Sequence, residues 1–360
     1  MQTKDSKMTI IIAGLIIGVI ASVLVVFGNP ANMGFCIACF IRDTAGALGL
    51  HQAPVVQYIR PEIIGIIVGA FPVSFGTKEF KARGGSSPIT RFVLGFCVMI
   101  GCLMFLGCPF RMILRMAGGD INALLGLVGF VLGIAVGTYF LKKGFSLKRT
   151  YAQPKAEGMV VSVAAVVLLI LLVARPAFIF FSEEGPGSKH AAIIISLAAG
   201  LIVGILAQRT RLCMAGGVRD LILFKDARLI SGFIAIFVGC LVMNLILTGA
   251  TDGTFFKLAM VEQPVAHTDA LWNLLGMFTV GFGAILLGGC PLRQLVMAGE
   301  GSSDSVAAVL GLLVGAAFCH NFKLASSGEG PTPNGKIAVI LAIVVILIIA
   351  CVNTFKKKEA

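Results

Sequence analysis

Gly107-Cys108-Pro109-Phe110-Arg111 recurs as Gly289-Cys290-Pro291-Leu292-Arg293, and this duplication decides how the chain is read. Each copy runs into Met-Ala-Gly, at Met116-Ala117-Gly118 and Met297-Ala298-Gly299, and then reaches an aspartate that opens an apolar stretch, Asp120 and Asp304. A second pair lies upstream. Cys36 precedes Arg42-Asp43 and Cys213 precedes Arg219-Asp220, with the same cysteine-to-arginine spacing. One unit, built around two cysteine–arginine turns, is present twice.

The surrounding composition sets the solvent. The chain is 58% hydrophobic and 13% charged, with a mean hydropathy of +0.98, whereas soluble domains carry about 25% charged residues. Its apolar runs are long and do not alternate. An all-α integral membrane protein is therefore expected, and a β-barrel is not. The net charge of +12 reads as cytoplasmic loops rather than a nucleic-acid surface. Most of the ten cysteines lie in or beside apolar runs, where a free thiol behaves as a small hydrophobe. Cys97, Cys240, Cys319 and Cys351 are read that way. Cys102, nearly two helical turns before Cys108, could extend a line of thiols.

The runs predict about ten transmembrane helices in two inverted repeats, with four half-inserted, cysteine-bearing turns or short helices. Residues 1–141 form the first repeat. Residues 142–189 hold a basic linker and one connecting span, Met159–Phe180. Residues 190–322 form the second repeat, and 323–360 the last span and the tail Lys356-Lys357-Lys358. Met8–Gly28 is read as the first span rather than a signal peptide, since it is long for one and no convincing cleavage site follows. With both termini inside, most of the 29 Lys and Arg fall on the inner segments, as expected for a multi-pass protein of the bacterial cytoplasmic membrane. The connecting span makes the number of crossings between units odd. Cys36 and Cys108 would then enter from outside, and Cys213 and Cys290 from inside. Asp120, and Asp304 or Ser305, are expected to cap the helices they precede. The GxxxG pairs Gly14/Gly18, Gly200/Gly204, Gly129/Gly133 and Gly311/Gly315 are read as packing scaffold.

The turns carry the chemistry. Cysteine, then proline, then a helix reads as N-cap, N1 and a short helix. The thiol sits at the positive end of a half-helix, and Arg111 or Arg293 follows one turn later, so an anion is favoured there. An oxyanion such as phosphate would be better served by serine, lysine and arginine. Cysteine at four matched positions, Cys36, Cys108, Cys213 and Cys290, points to sulfur or selenium. Neither Arg111 nor Arg293 has an acidic helical neighbour at three or four residues, so a transported anion is the expected partner. For Arg42 and Arg219 the adjacent aspartate competes with that role. Cys39 makes a CxxC with Cys36, but no histidine or second pair completes a metal site. The four histidines are expected at surfaces or interfaces, and no cofactor is implied.

The Gly-x-Cys and Gly-Cys-Pro turns on duplicated spans resemble the YeeE/YedE sulfur-transport family over nearly the whole chain. The stretch from Gly28-Asn29-Pro30 through Cys36-Ile37-Ala38-Cys39 to Arg42-Asp43 is similar to its YedE branch, associated with selenium transport. YeeE-side members take up thiosulfate. The resemblance implies an hourglass-shaped protein in which central cysteines pass the ion along by S–H hydrogen bonds. That role would fall on Cys36, Cys108 and Cys290, with Cys213 as the repeat partner.

A transporter, not an enzyme, is the expectation. The substrate would be a small sulfur- or selenium-containing anion, and the other partner the lipid bilayer. A membrane thiol enzyme forming a persulfide or selenosulfide is the alternative, because a cysteine at a helix N-terminus has a lowered pKa, yet the chain shows no triad or redox motif for it. A structural partner for a cytoplasmic TusA-like sulfur carrier has only the basic inner loops in its favour.

Overall fold

The computed structural model describes residues 7–251 and 255–355; the basic tail and the first residues of the polar start lie outside them. The chain is an all-α integral membrane protein. Among the described residues, nine helical stretches are long and apolar enough to cross a membrane, and Pro61–Gly76, at 16 residues, is shorter.

In chain order the elements are α1 (Lys7–Val26), α2 (Ile37–Ala47), α3 (Pro61–Gly76), β1 (Arg83–Gly84), α4 (Pro88–Phe105), α5 (Pro109–Ala117), α6 (Asn122–Lys142), β2 (Tyr151–Ala152), α7 (Lys155–Ala174), α8 (Gly185–Ser188), α9 (Ile193–Thr210), α10 (Met214–Phe224), α11 (Arg228–Ala250), α12 (Ala270–Leu287), α13 (Pro291–Gly299), α14 (Ser303–Asn321) and α15 (Pro333–Phe355). Outward faces of the long helices carry exposed valine, leucine and isoleucine, as at Val160, Val163 and Ile170 of α7. In water such a belt would be a liability; against lipid tails it is the required surface.

The long helices pair across the two halves. α1 packs on α11, α3 on α9, α4 on α14 and α6 on α12. In each case the first or third helix of one half meets the second or fourth of the other. Glycines allow the approach. A Cβ on Gly14 would lie 2.6 Å from the Gly232 carbonyl oxygen of α11, and one on Gly65 2.6 Å from the Leu197 carbonyl oxygen of α9. Lipid gives helices no hydrophobic drive to associate, so such close backbone packing carries the assembly. The cysteine-led short helices follow the same exchange: α2 touches α13 and α5 touches α10.

The connecting segments sort into two groups by their hydrogen bonds. One joins Asn29 to Ala191, Arg60 to Pro186 and Lys189, and Lys257 to Gly118. The other joins Glu79 to Gln208, Lys81 to Glu300, and Arg91 to Leu287. The Cys36 and Cys108 turns belong to the first group, the Cys213 and Cys290 turns to the second.

Several local expectations change. The basic linker is clasped, because β2 pairs antiparallel with β1 and Gln153 N–H donates to the Ala82 carbonyl. Two-residue strands are too short to leave a period in the sequence. The N-cap of α14 is Ser302, whose hydroxyl accepts from Ser305 N–H, while Asp304 turns to the Ser86 N–H at 3.1 Å. Ile121 holds the N-cap position of α6, and Asp120 accepts from Asn122 N–H one residue further on. His51 and His267 are buried rather than superficial, their Nε2 atoms 3.0 and 2.8 Å from the carbonyl oxygens of Arg42 and Met104.

Candidate functional site

Each cysteine turn folds as its sequence requires. Cys36, Cys108, Cys213 and Cys290 are the N-cap residues of α2, α5, α10 and α13, all with extended backbone. Pro109 and Pro291 occupy the first helical position, where a missing N–H costs nothing. Without a proline, Cys36 and Cys213 use their sulfur as the cap. Cys36 Sγ accepts from Cys39 N–H at 3.4 Å and Cys213 Sγ from Gly216 N–H at 3.2 Å.

In each half the two short helices meet head to head. Cys108 faces the Cys36 thiol and the N–H of Ala38 at the start of α2. Cys213 and Cys290 have their Sγ atoms 3.8 Å apart, and Cys290 lies near the N–H of Met214 at the start of α10. Two positive helix ends therefore converge on each thiol pair. The positive ends of both macrodipoles favour an anion at that point. All four thiols are buried.

The first half is richer in sulfur. Cys36 Sγ lies 2.7 Å from Cys39 Sγ, and Cys102 neighbours both. The structure thus brings Cys36, Cys39, Cys102 and Cys108 together at one end, and Cys213 and Cys290 at the other. Met214 adds a thioether 3.9 Å from Cys290 Sγ, a sulfur that its repeat partner, Ile37, does not offer.

The arginines divide. Arg111 is fully buried, and its side chain folds back toward the start of α5. Nε donates to the Asn32 carbonyl oxygen at 3.1 Å, Nη1 to the Leu106 carbonyl oxygen and, at 3.7 Å, to Cys39 Sγ, and Nη2 to the Val265 carbonyl oxygen at 3.1 Å. No carboxylate among the described residues pairs with it. Arg293 runs the other way. Its Nη1 and Nη2 reach Glu300 Oε1 and Oε2 at 3.1 and 3.2 Å, at the C-terminal end of α13. The expectation of an unpaired Arg293 is therefore corrected: Glu300 lies seven residues on, beyond the nearest helical neighbours. Arg42 pairs with Asp43 at 2.7 Å and Arg219 with Asp220 at 2.8 Å, so at both the local aspartate takes the guanidinium.

Two arginines of this region escaped the sequence reading. Arg60 Nη2 binds Asp43 at 2.7 Å from the far side. Arg115, one turn after Arg111, binds Asp120 at 2.6 Å and lies over the Phe105 ring, its Nη2 without a partner among the described residues. The four-residue spacing of Arg111 and Arg115 was the available signal.

A cavity of about 250 Å³ opens beside the first-half turns, lined among others by Ser22, Asn32, Gly118, Asn244, Lys257 and Gln263. The segment from Phe255 to Asp269 straps over it, joined to Gly118 and Gly119 by backbone bonds and to Asn32 through Gln263 at 3.2 Å. This strap supplies the Val265 carbonyl that holds Arg111. Among the described residues no cluster of histidine, cysteine and carboxylate groups suits a metal ion.

Residues 209–356 match the family model described as Sulphur transport. That stretch contains the Cys213 and Cys290 turns with Arg219 and Arg293. The chain is also similar to the thiosulfate transporter TsuA of Spirochaeta thermophila, 32% identical over 114 residues, and to the thiosulfate transporter TsuA of Escherichia coli, 28% identical over 127 residues. These matches cover 32% and 34% of this chain, and 32% of the length of each relative.

Proposed function

Because this chain belongs to the YeeE/YedE sulfur-transport family, we propose that it carries a small sulfur- or selenium-containing anion across the membrane, passing it between thiols at the two ends. The observation that carries this reading is the meeting of four cysteine-capped helix N-termini in two buried pairs, Cys36 with Cys108 and Cys213 with Cys290. A polarizable anion there is held by S–H donors and backbone N–H groups without covalent change. Thiosulfate is the leading substrate, since both named relatives are thiosulfate transporters; a selenium-containing anion is the second candidate, because four matched cysteines offer it soft, polarizable partners.

The two halves are inverted repeats in this account. The sorting of connecting segments into two groups supports it, with the first-half cysteines in one and the second-half cysteines in the other. The basic segments around Arg83, Lys148 and Arg211 support a cytoplasmic side there, in a bacterial inner membrane, by the positive-inside rule; on that reading Cys36 and Cys108 face outside. A TusA-like carrier would then dock at the cytoplasmic side, beside the Cys213 and Cys290 turns. Purified protein in liposomes, offered thiosulfate, selenite and sulfite in parallel, tests the reading: one of these should accumulate. Mass spectrometry of the exposed protein should find every cysteine unmodified; a persulfide or selenosulfide would identify a thiol enzyme instead.

A further inference from the structure

We infer that the two ends of the pathway hold their anion unequally: the Cys36/Cys108 end is a retaining site, and Glu300 turns the Cys213/Cys290 end into a releasing one. This rests on the reading above that the converging helix ends receive an anion.

The argument is one of charge. At the first end four buried arginines, Arg42, Arg60, Arg111 and Arg115, share two aspartates, Asp43 and Asp120. Glu62, two residues beyond Arg60, pairs with none of them; its Oε1 accepts from Asn29 and Ser196 at 2.9 and 3.0 Å. Even counting Glu62 with the two aspartates, the four arginines outnumber the carboxylates among the described residues here. Arginine cannot shed its proton in a protein, and a buried cation without a counter-charge is costly. Two further observations mark where an anion would seat. Among the described residues, Arg111 has carbonyl oxygens and a thiol as partners but no carboxylate, and Arg115 Nη2 is buried without any partner. Both arginines lie on one face of α5, next to Cys39.

At the second end the same positions are neutral. Arg219 has Asp220, and Arg293 has both oxygens of Glu300. Part of the difference is that the second half has no counterpart of Arg115, and part is written in one further position. Counting from the shared Met-Ala-Gly, the next residue is Gly119 in the first half and Glu300 in the second. Gly119 has φ +89° and receives the strap through its carbonyl, while Glu300 has ordinary helical backbone and projects a carboxylate along α13. An anion arriving at Cys290 would meet two helix ends and two thiols but a guanidinium already engaged, so it leaves more readily than from Cys108.

Calorimetric titration of the full chain in lipid nanodiscs with thiosulfate tests this, with sulfate as the control anion. Wild type should bind one thiosulfate, and Arg111→Gln should bind it roughly 10- to 100-fold more weakly. Glu300→Gln frees Arg293 and should add a second site, which the double variant Arg293→Gln/Glu300→Gln should remove again. A single site in a well-folded Glu300→Gln protein, or two like sites in wild type, overturns the inference while leaving the anion reading intact. No binding by wild type overturns both. Should Glu300→Gln fail to fold, oriented vesicles of wild type decide. Half-saturating thiosulfate should be about tenfold lower from the Cys36/Cys108 face, the effect of one additional charged contact, and equal values from the two faces overturn the inference.

Discussion

Cys213 Sγ lies 3.8 Å from Cys290 Sγ, though α10, α11 and α12 separate them in the chain. The contact exists because α10 and α13 begin at the same point, each capped by its cysteine. The first half repeats the arrangement with Cys36 and Cys108. In the proposed function, each thiol pair between two positive helix ends is the seat of a soft anion.

Cys108→Ala and Cys290→Ala should each abolish thiosulfate uptake while the protein still reaches the membrane folded. Alanine keeps most of the packing volume and removes only the sulfur and its weak hydrogen bonds. Uptake rates and size-exclusion profiles of the two variants check this; normal uptake by both would return the cysteines to a packing role.

The two thiol pairs should be reached from opposite faces. These four cysteines are buried, so their labelling by an impermeant maleimide should be slow but sided: Cys36 and Cys108 on intact cells, Cys213 and Cys290 on inverted vesicles. Peptide mapping of the labelled protein reads the outcome. Labelling of Cys108 and Cys290 from the same face would refute inverted repeats.

Arg111→Gln should raise the half-saturating thiosulfate concentration roughly 10- to 100-fold, the effect expected of a charged hydrogen bond worth about 1.5–3 kcal/mol. Arg111→Lys should lie between wild type and Gln, since a lysine keeps the charge but cannot hold Asn32, Leu106 and Val265 carbonyls with one planar group. Initial uptake rates over a concentration series separate the three proteins.

Gly14→Leu should destabilise the fold without touching the pathway. A Cβ at Gly14 would lie 2.6 Å from the Gly232 carbonyl oxygen and 2.8 Å from the Ala235 side chain, so α1 and α11 must separate. Overpacking of this kind costs about 1–3 kcal/mol. A lower melting temperature in detergent is the readout, with the anion affinity of the surviving fraction unchanged.

Much of this was legible in the chain because it is written twice. The Cys-Pro order predicts cap and first helical residue, and Cys108-Pro109 and Cys290-Pro291 take those places. The glycine pairs predict close helix contacts, and Gly14 meets Gly232 across the halves. Which halves' helices would pair was not legible, because apolar faces of similar composition do not name their partners. The Arg293–Glu300 pair was missed because seven residues is two helical turns, and only a long side chain lying along α13 bridges it. Arg60 reaches Asp43 from another segment, so only the fold joins them. Asp304 looked like a cap by position, but Ser302 is better placed to accept from the helix start and frees the carboxylate for Ser86.

The most direct test of the transport account is thiosulfate accumulation by the purified chain in liposomes. Radiolabelled thiosulfate should enter protein-containing vesicles, saturate with concentration, and fall to the level of empty vesicles for Cys108→Ala and for Cys290→Ala. Vesicles holding the wild-type protein that take up neither thiosulfate nor selenite nor sulfite above the empty control would contradict it.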